Sequence, residues 1–184
     1  MPKISEKIFY NGAEEKIKRL GLTLVIEELF KIVSEFTLLV QETKNSNSGA
    51  VVREKIDSRF EIAEGWIKGG TGEIDWTKSL IINGVRVCIG VEIQVSARSD
   101  LIIIDLIHLR KAIIEGKMDL GILVVPGNKL GNFLTDRAPT LADAKRLIVD
   151  TRADDLPLLL ISLEHDGAGP PLPKKRTRQG KSSK

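Results

Sequence analysis

A single cysteine, Cys88, in 184 residues leaves no possibility of an intrachain disulfide, so a reducing, intracellular setting is expected. Aromatic residues make up only 4%, and the core must therefore be built from Ile, Leu and Val. Histidine occurs twice, at His108 and His165, without the partner spacing of a zinc site. No apolar run approaches the roughly 20 residues that span a bilayer. The opening MPKISEKIFYNG has no apolar stretch of signal-peptide type. These absences predict a soluble, cytoplasmic protein with no membrane partner.

What is present is ordinary for a globular chain: 42% hydrophobic and 29% charged residues, enough for one domain with a sizeable core. The net charge of +3 is unevenly placed. Lys174, Lys175, Arg176, Arg178, Lys181 and Lys184 crowd the last residues with no acid among them, so residues 1–173 are mildly acidic. We expect one catalytic domain over residues 1–173 and a basic, disordered tail over 174–184. A basic tail beside an acidic body suits a polyanionic substrate, although charge runs are commonly just solvated.

Apolar residues recur at helical spacing from Gly12 to Glu42, with Gly21 placed to bend or interrupt the run. The polar stretch 44–49 reads as a loop, with Ser48 available to cap a second helix over 50–66. Two apolar runs flanking Asn83-Gly84 predict a strand pair. Residues 99–115 predict a helix, apolar on more than one face, which is covered by its own sheet and by another subunit. LGILVVP (120–126) reads as a strand buried on both faces. Short helices near 128–135 and 140–148 follow, then a last strand over 156–163 with Pro157 at its entry. The order predicts an α/β fold in which a mixed central sheet is flanked by helices on both sides.

The chemistry concentrates in EIDWTKSLIINGVRVCIGVEIQ, residues 73–94. Strand side chains alternate, so Glu92 and Gln94 project from one face, and pairing of the two runs brings Asp75 toward them. Two carboxylates and a polar group on rigid strands suit a divalent, oxygen-preferring cation such as Mg²⁺. Phosphodiester hydrolysis needs an activated water and charge neutralisation at the phosphorus, both of which such an ion supplies. Asp75 and Glu92 would bind metal, the Ile93 carbonyl would complete the sphere, and Gln94 would orient water or phosphate. Spacing alone does not distinguish this D-x(16)-E-x-Q pattern from a solvated sheet edge.

From Gly72 to about Ile148 the chain resembles the BamHI/BglII-like type II restriction endonucleases of the PD-(D/E)xK superfamily. The likeness is carried by GEID, GVEIQ, SARS, EGKMDLGILVVP and FLTDR. It implies a PD-(D/E)xK core with Asp75, Glu92 and Gln94 at the catalytic positions. For the family's further upstream acid or amide, Glu61 and Glu64 on the preceding helix are the nearest carboxylates, and spacing through the glycine-rich 69–72 stretch does not choose between them. Arg98, with Ser96 and Ser99 beside it, and the Asp136-Arg137 pair match positions that read DNA. Physically, arginine offers a fork to guanine and a carboxylate accepts from cytosine. The resemblance also implies an Mg²⁺-dependent homodimer that cuts both strands of a short palindromic double-stranded DNA site. Its products would carry 5′-phosphates, 3′-hydroxyls and 5′ overhangs. Within the same fold, a repair or structure-selective nuclease and a catalytically degenerate DNA-binding protein are the alternatives. His108 is expected in the core or an interface, and Trp66 and Trp76 in packing.

Overall fold

The computed structural model describes residues 1–70, 74–96, 98–135 and 137–173. Asp136 and the basic tail 174–184 lie outside them. A six-stranded mixed sheet organises the chain. In chain order its strands are β1 (Lys3–Tyr10), β3 (Trp66–Lys68), β4 (Trp76–Ile82), β5 (Val85–Ile93), β6 (Leu120–Pro126) and β7 (Leu158–Glu164). A short β2 (Leu39–Val40) pairs in parallel with β8 (Gly167–Ala168). The spatial order of the large sheet is β1-β7-β6-β5-β4-β3. Strands β5, β6 and β7 run parallel, and β1, β4 and β3 are antiparallel to their neighbours.

Strand periodicity divides the core in two. Val87, Ile89, Val91 and Ile93 of β5 face the layer of α1 (Ala13–Arg19), α2 (Thr23–Ser34) and α3 (Gly49–Ile62). The opposite face packs on α4 (Ile102–Ile114) and α6 (Leu141–Asp150), through Leu106, Leu109, Ala144 and Ile148. A short α5 (Asn128–Phe133) follows β6 directly. Helices thus cover both faces, as expected. The Asn83-Gly84 turn and its strand pair stand as read from the sequence, both residues having positive φ.

Several boundaries differ from the sequence reading. The helical run over 12–42 is two helices split at Leu20–Leu22, and it stops at Ser34. The second helix ends at Ile62, because Trp66 leaves it to pair with Lys78 and to pack edge-on against Phe60, ring centroids 5.0 Å apart. Trp76 stacks on the other side of the same ring. Ser48 occupies the cap position of α3 but makes no side-chain cap bond. The last strand begins at Leu158, after Pro157, and β1 pairs along it at the sheet edge.

Two contacts fix the active end of the sheet. Asn47 is fully buried, and its amide bonds Gln41 O, Gln41 N, Phe133 O and Leu172 N at 2.8–3.2 Å. It thereby ties the loop before α3 to the segment that follows α5. Gly49 opens α3 against the chain just past β5: a Cβ there would lie 2.5 Å from Val95 O and 3.0 Å from Ser96 Cα. Both are backbone atoms that cannot rotate away. Gly49→Ala should therefore cost about 1–3 kcal/mol, read as a drop of several degrees in Tm. An unchanged Tm would contradict this packing.

Candidate active site

Asp75 precedes β4 by one residue, and the pairing of Trp76 with Val91 puts it level with Glu92. Asp75 Oδ2 accepts the Ile93 N–H at 2.8 Å, and the Asp75 N–H points to Glu92 Oε2 at 3.3 Å. Asp75, Glu92 and the Ile93 backbone thus meet at the carboxyl end of β5. In open α/β sheets that end is where ligands bind. Gln94 continues on the Glu92 side, its main-chain N–H donating to Val124 O and its amide reaching Arg98 O at 3.5 Å.

The helices add residues that the sequence reading did not select. From α4, Asp105 and His108 stand three residues apart and so share a helix face. Ligand atoms of Glu92, Asp105 and His108 all lie within 4.8 Å of one another, with His108 Nδ1 3.6 Å from Glu92 Oε1. His108 is therefore turned toward the carboxylates rather than simply packed in a core or an interface. From α3, Arg53 donates to Asp75 Oδ2 at 3.0 Å and to Ile93 O at 2.8 Å. A second guanidinium nitrogen sits 2.8 Å from Asp75 Oδ1. Its Nε donates to Asp57 Oδ1, which also accepts from the Trp76 indole.

Glu61 and Glu64 are not brought to Asp75. Glu61 is exposed, with Lys68 at 3.9 Å, and Glu64 lies beyond the end of α3 in the turn before β3. The reason is geometric. Arg53, in the first half of α3, reaches Asp75, whereas Glu61 in the last turn lies against Lys68 instead. Arg98 is exposed and forked onto Asp100, and Arg137 is exposed with a positive φ of 55°. The two segments are nevertheless adjacent, because Ser99 N–H donates to Arg137 O at 3.0 Å. Ser96 and Ser99 are half-buried in the same stretch. Asp136 lies outside the described residues.

The electrostatics are those of a crowded acidic pocket. Glu92 is only 2% exposed. Burial, then the charges of Asp75 and Asp105, push its pKa up to about 10. Burial and Asp75 likewise raise Asp105 to about 7, with Arg53 pulling the other way. Burial opposes the Arg53 charge, yet the Asp75 and Asp57 carboxylates outweigh it and raise its pKa. Among the described residues, Glu92 Oε1 and Asp105 Oδ2 are buried without a hydrogen-bond partner. Buried oxygens in that condition, beside an imidazole nitrogen, fit a divalent cation.

The pH dependence follows in sign. Both carboxyl groups hold their protons more tightly in the folded chain, so the stability they contribute is present in acid and is lost as pH rises through the folded pKa. For Asp105 that loss begins in the ordinary carboxylate range and is complete just above about 7, and Glu92 extends it toward 10. In EDTA, Tm should fall by several degrees between about pH 5 and about pH 8. Asp105→Asn should flatten the fall, and Mg²⁺ should recover it. A wild-type Tm flat over that window would contradict the assignment.

A family model described as restriction endonuclease BglII/BglIII matches residues 5–163, which include every strand of the large sheet apart from the outermost residues of β1 and β7. No individual curated protein matches the chain. With that match over most of its length, the chain belongs to the BglII/BglIII family of restriction endonucleases, site-specific type II enzymes that act on DNA.

Proposed function

We propose that this endonuclease works as an Mg²⁺-dependent homodimer on a short palindromic duplex site, each subunit cutting one strand. It would leave 5′-phosphates, 3′-hydroxyls and 5′ overhangs. The observation that carries this reading is the meeting of Asp75, Glu92 and the Ile93 backbone at the end of β5. Asp75, Glu92 and the Ile93 carbonyl would hold the ion, with Asp105 and His108 flanking Glu92. Bound Mg²⁺ supplies Lewis acidity at the phosphate and lowers the pKa of water.

The protein's own groups do the positioning. The Gln94 amide cannot act as a base at neutral pH, so it orients water or the scissile phosphate by hydrogen bonding. Glu92, buried and resistant to ionisation by itself, gains its charge when a cation neutralises the pocket. Arg98, Ser96, Ser99, Asp136 and Arg137 would read bases, and the bond between Ser99 and Arg137 supports a single reading surface. On the outer face of α4, Ile104, Ile107 and Ile114 are 46%, 54% and 69% exposed, which supports that helix as the subunit contact. Two-fold protein symmetry would then match the two-fold symmetry of the DNA site. The basic residues of 174–184 would add phosphate contacts. Among the described residues, no helix is long and apolar enough to cross a membrane.

The test is digestion of plasmid DNA by the purified protein. Discrete fragments with Mg²⁺, none in EDTA, and a loss on the order of 10³-fold in Asp75→Ala are expected. Run-off sequencing of the fragments reads the site and the offset. A sequence-independent smear, or full cleavage by the alanine variant, would contradict the proposal.

A further inference from the structure

Arg53 and a divalent cation require the same oxygens. Its guanidinium spans both oxygens of Asp75 and the carbonyl of Ile93, at 2.8–3.0 Å. Those are the atoms assigned above to the ion, and this inference rests on that assignment. The arginine is not a surface charge that happens to lie close. Its side chain is 20% exposed, and its third nitrogen, Nε, is fixed to Asp57, itself held by the Trp76 indole. A planar fork with fixed donors suits two carboxylate oxygens and a carbonyl better than an ammonium does.

We propose that Arg53 is a built-in competitor of the divalent cation, a positioning residue whose occupation of Asp75 and the Ile93 carbonyl sets how much metal the enzyme needs. A cation that takes these oxygens must first displace two nitrogens of a partly buried guanidinium. Its apparent affinity falls by the fraction of protein in which the arginine has let go. Arg53 also keeps Asp75 and Ile93 in register with Glu92 while doing so, and the acidic pocket holds its shape under its own charge. Among the described residues, the fork makes no hydrogen bond to the Glu92, Asp105 and His108 ligand atoms, which stay grouped beside it.

The experiment is titration of the full-length protein with Mn²⁺, followed by electron paramagnetic resonance of the free ion, for wild type, Arg53→Met and Arg53→Lys. Methionine keeps length and removes the charge, so Mn²⁺ should bind at least about ten-fold more tightly. Lysine keeps a cation but cannot span three oxygens while bonded to Asp57, so its affinity should fall between the two. Asp75→Asn should weaken binding in the Arg53→Met background, which locates the ion. If Arg53→Met folds only in the presence of Mn²⁺, the Arg53→Lys titration decides. A purely structural arginine would leave affinity unchanged or weaken it in both variants, and either result overturns the proposal. Cleavage by wild type in EDTA would sink the metal-dependent reading instead, so the two failures are distinguishable.

Discussion

Three carboxyl groups, those of Asp75, Glu92 and Asp105, share one small and largely buried volume, and like charges so placed cannot all ionise unless a cation joins them. That repulsion organises the active end of the molecule. Burial first, and then that repulsion, account for the upward shifts of Glu92 and Asp105, and the repulsion accounts for the guanidinium clamped on Asp75. A fold that carries such a pocket sacrifices stability for it, and a divalent cation is the simplest way to recover the loss.

The sheet makes the crowding possible. The antiparallel pairing of β4 with β5 sets Asp75 level with Glu92, and the parallel pairing of β5 with β6 holds the doublet against a strand buried throughout. Each face then contributes one helix: α3 brings a positive fork, and α4 brings an acid and an imidazole. Close packing at Gly49 and the fully bonded Asn47 fix α3 and the 133–135 segment to the same edge. The proposed catalytic residues and the segment next to Arg137 are consequently held at one edge of the sheet.

The sequence made the centre of this arrangement legible and left its surroundings dark. Asn83-Gly84 between alternating runs announces a hairpin, and strand periodicity then places Glu92 and Gln94 on one face. The apolar run 120–126 and the glycine after α4 are similarly direct signals. β1 was hidden because KISEKIFY lies at an edge, largely exposed, with no apolar stripe to mark it. Arg53 and Asp57 look like an ordinary i, i+4 pair on a solvated helix, and nothing local says that Asp75 lies across from them. Asp105 and His108 sit inside an apolar run, where polar residues read as packing exceptions. Glu61 and Glu64 are near Asp75 in sequence, but helix length carries them away from the site.

The claim that Asp75 and Glu92 share an ion is tested most directly by diffraction from crystals soaked in MnCl₂, using the anomalous signal of manganese. The account predicts a peak within bonding distance of both carboxylates, with the Arg53 fork moved off Asp75. A peak elsewhere, or none while Arg53 stays clamped at saturating Mn²⁺, would contradict it.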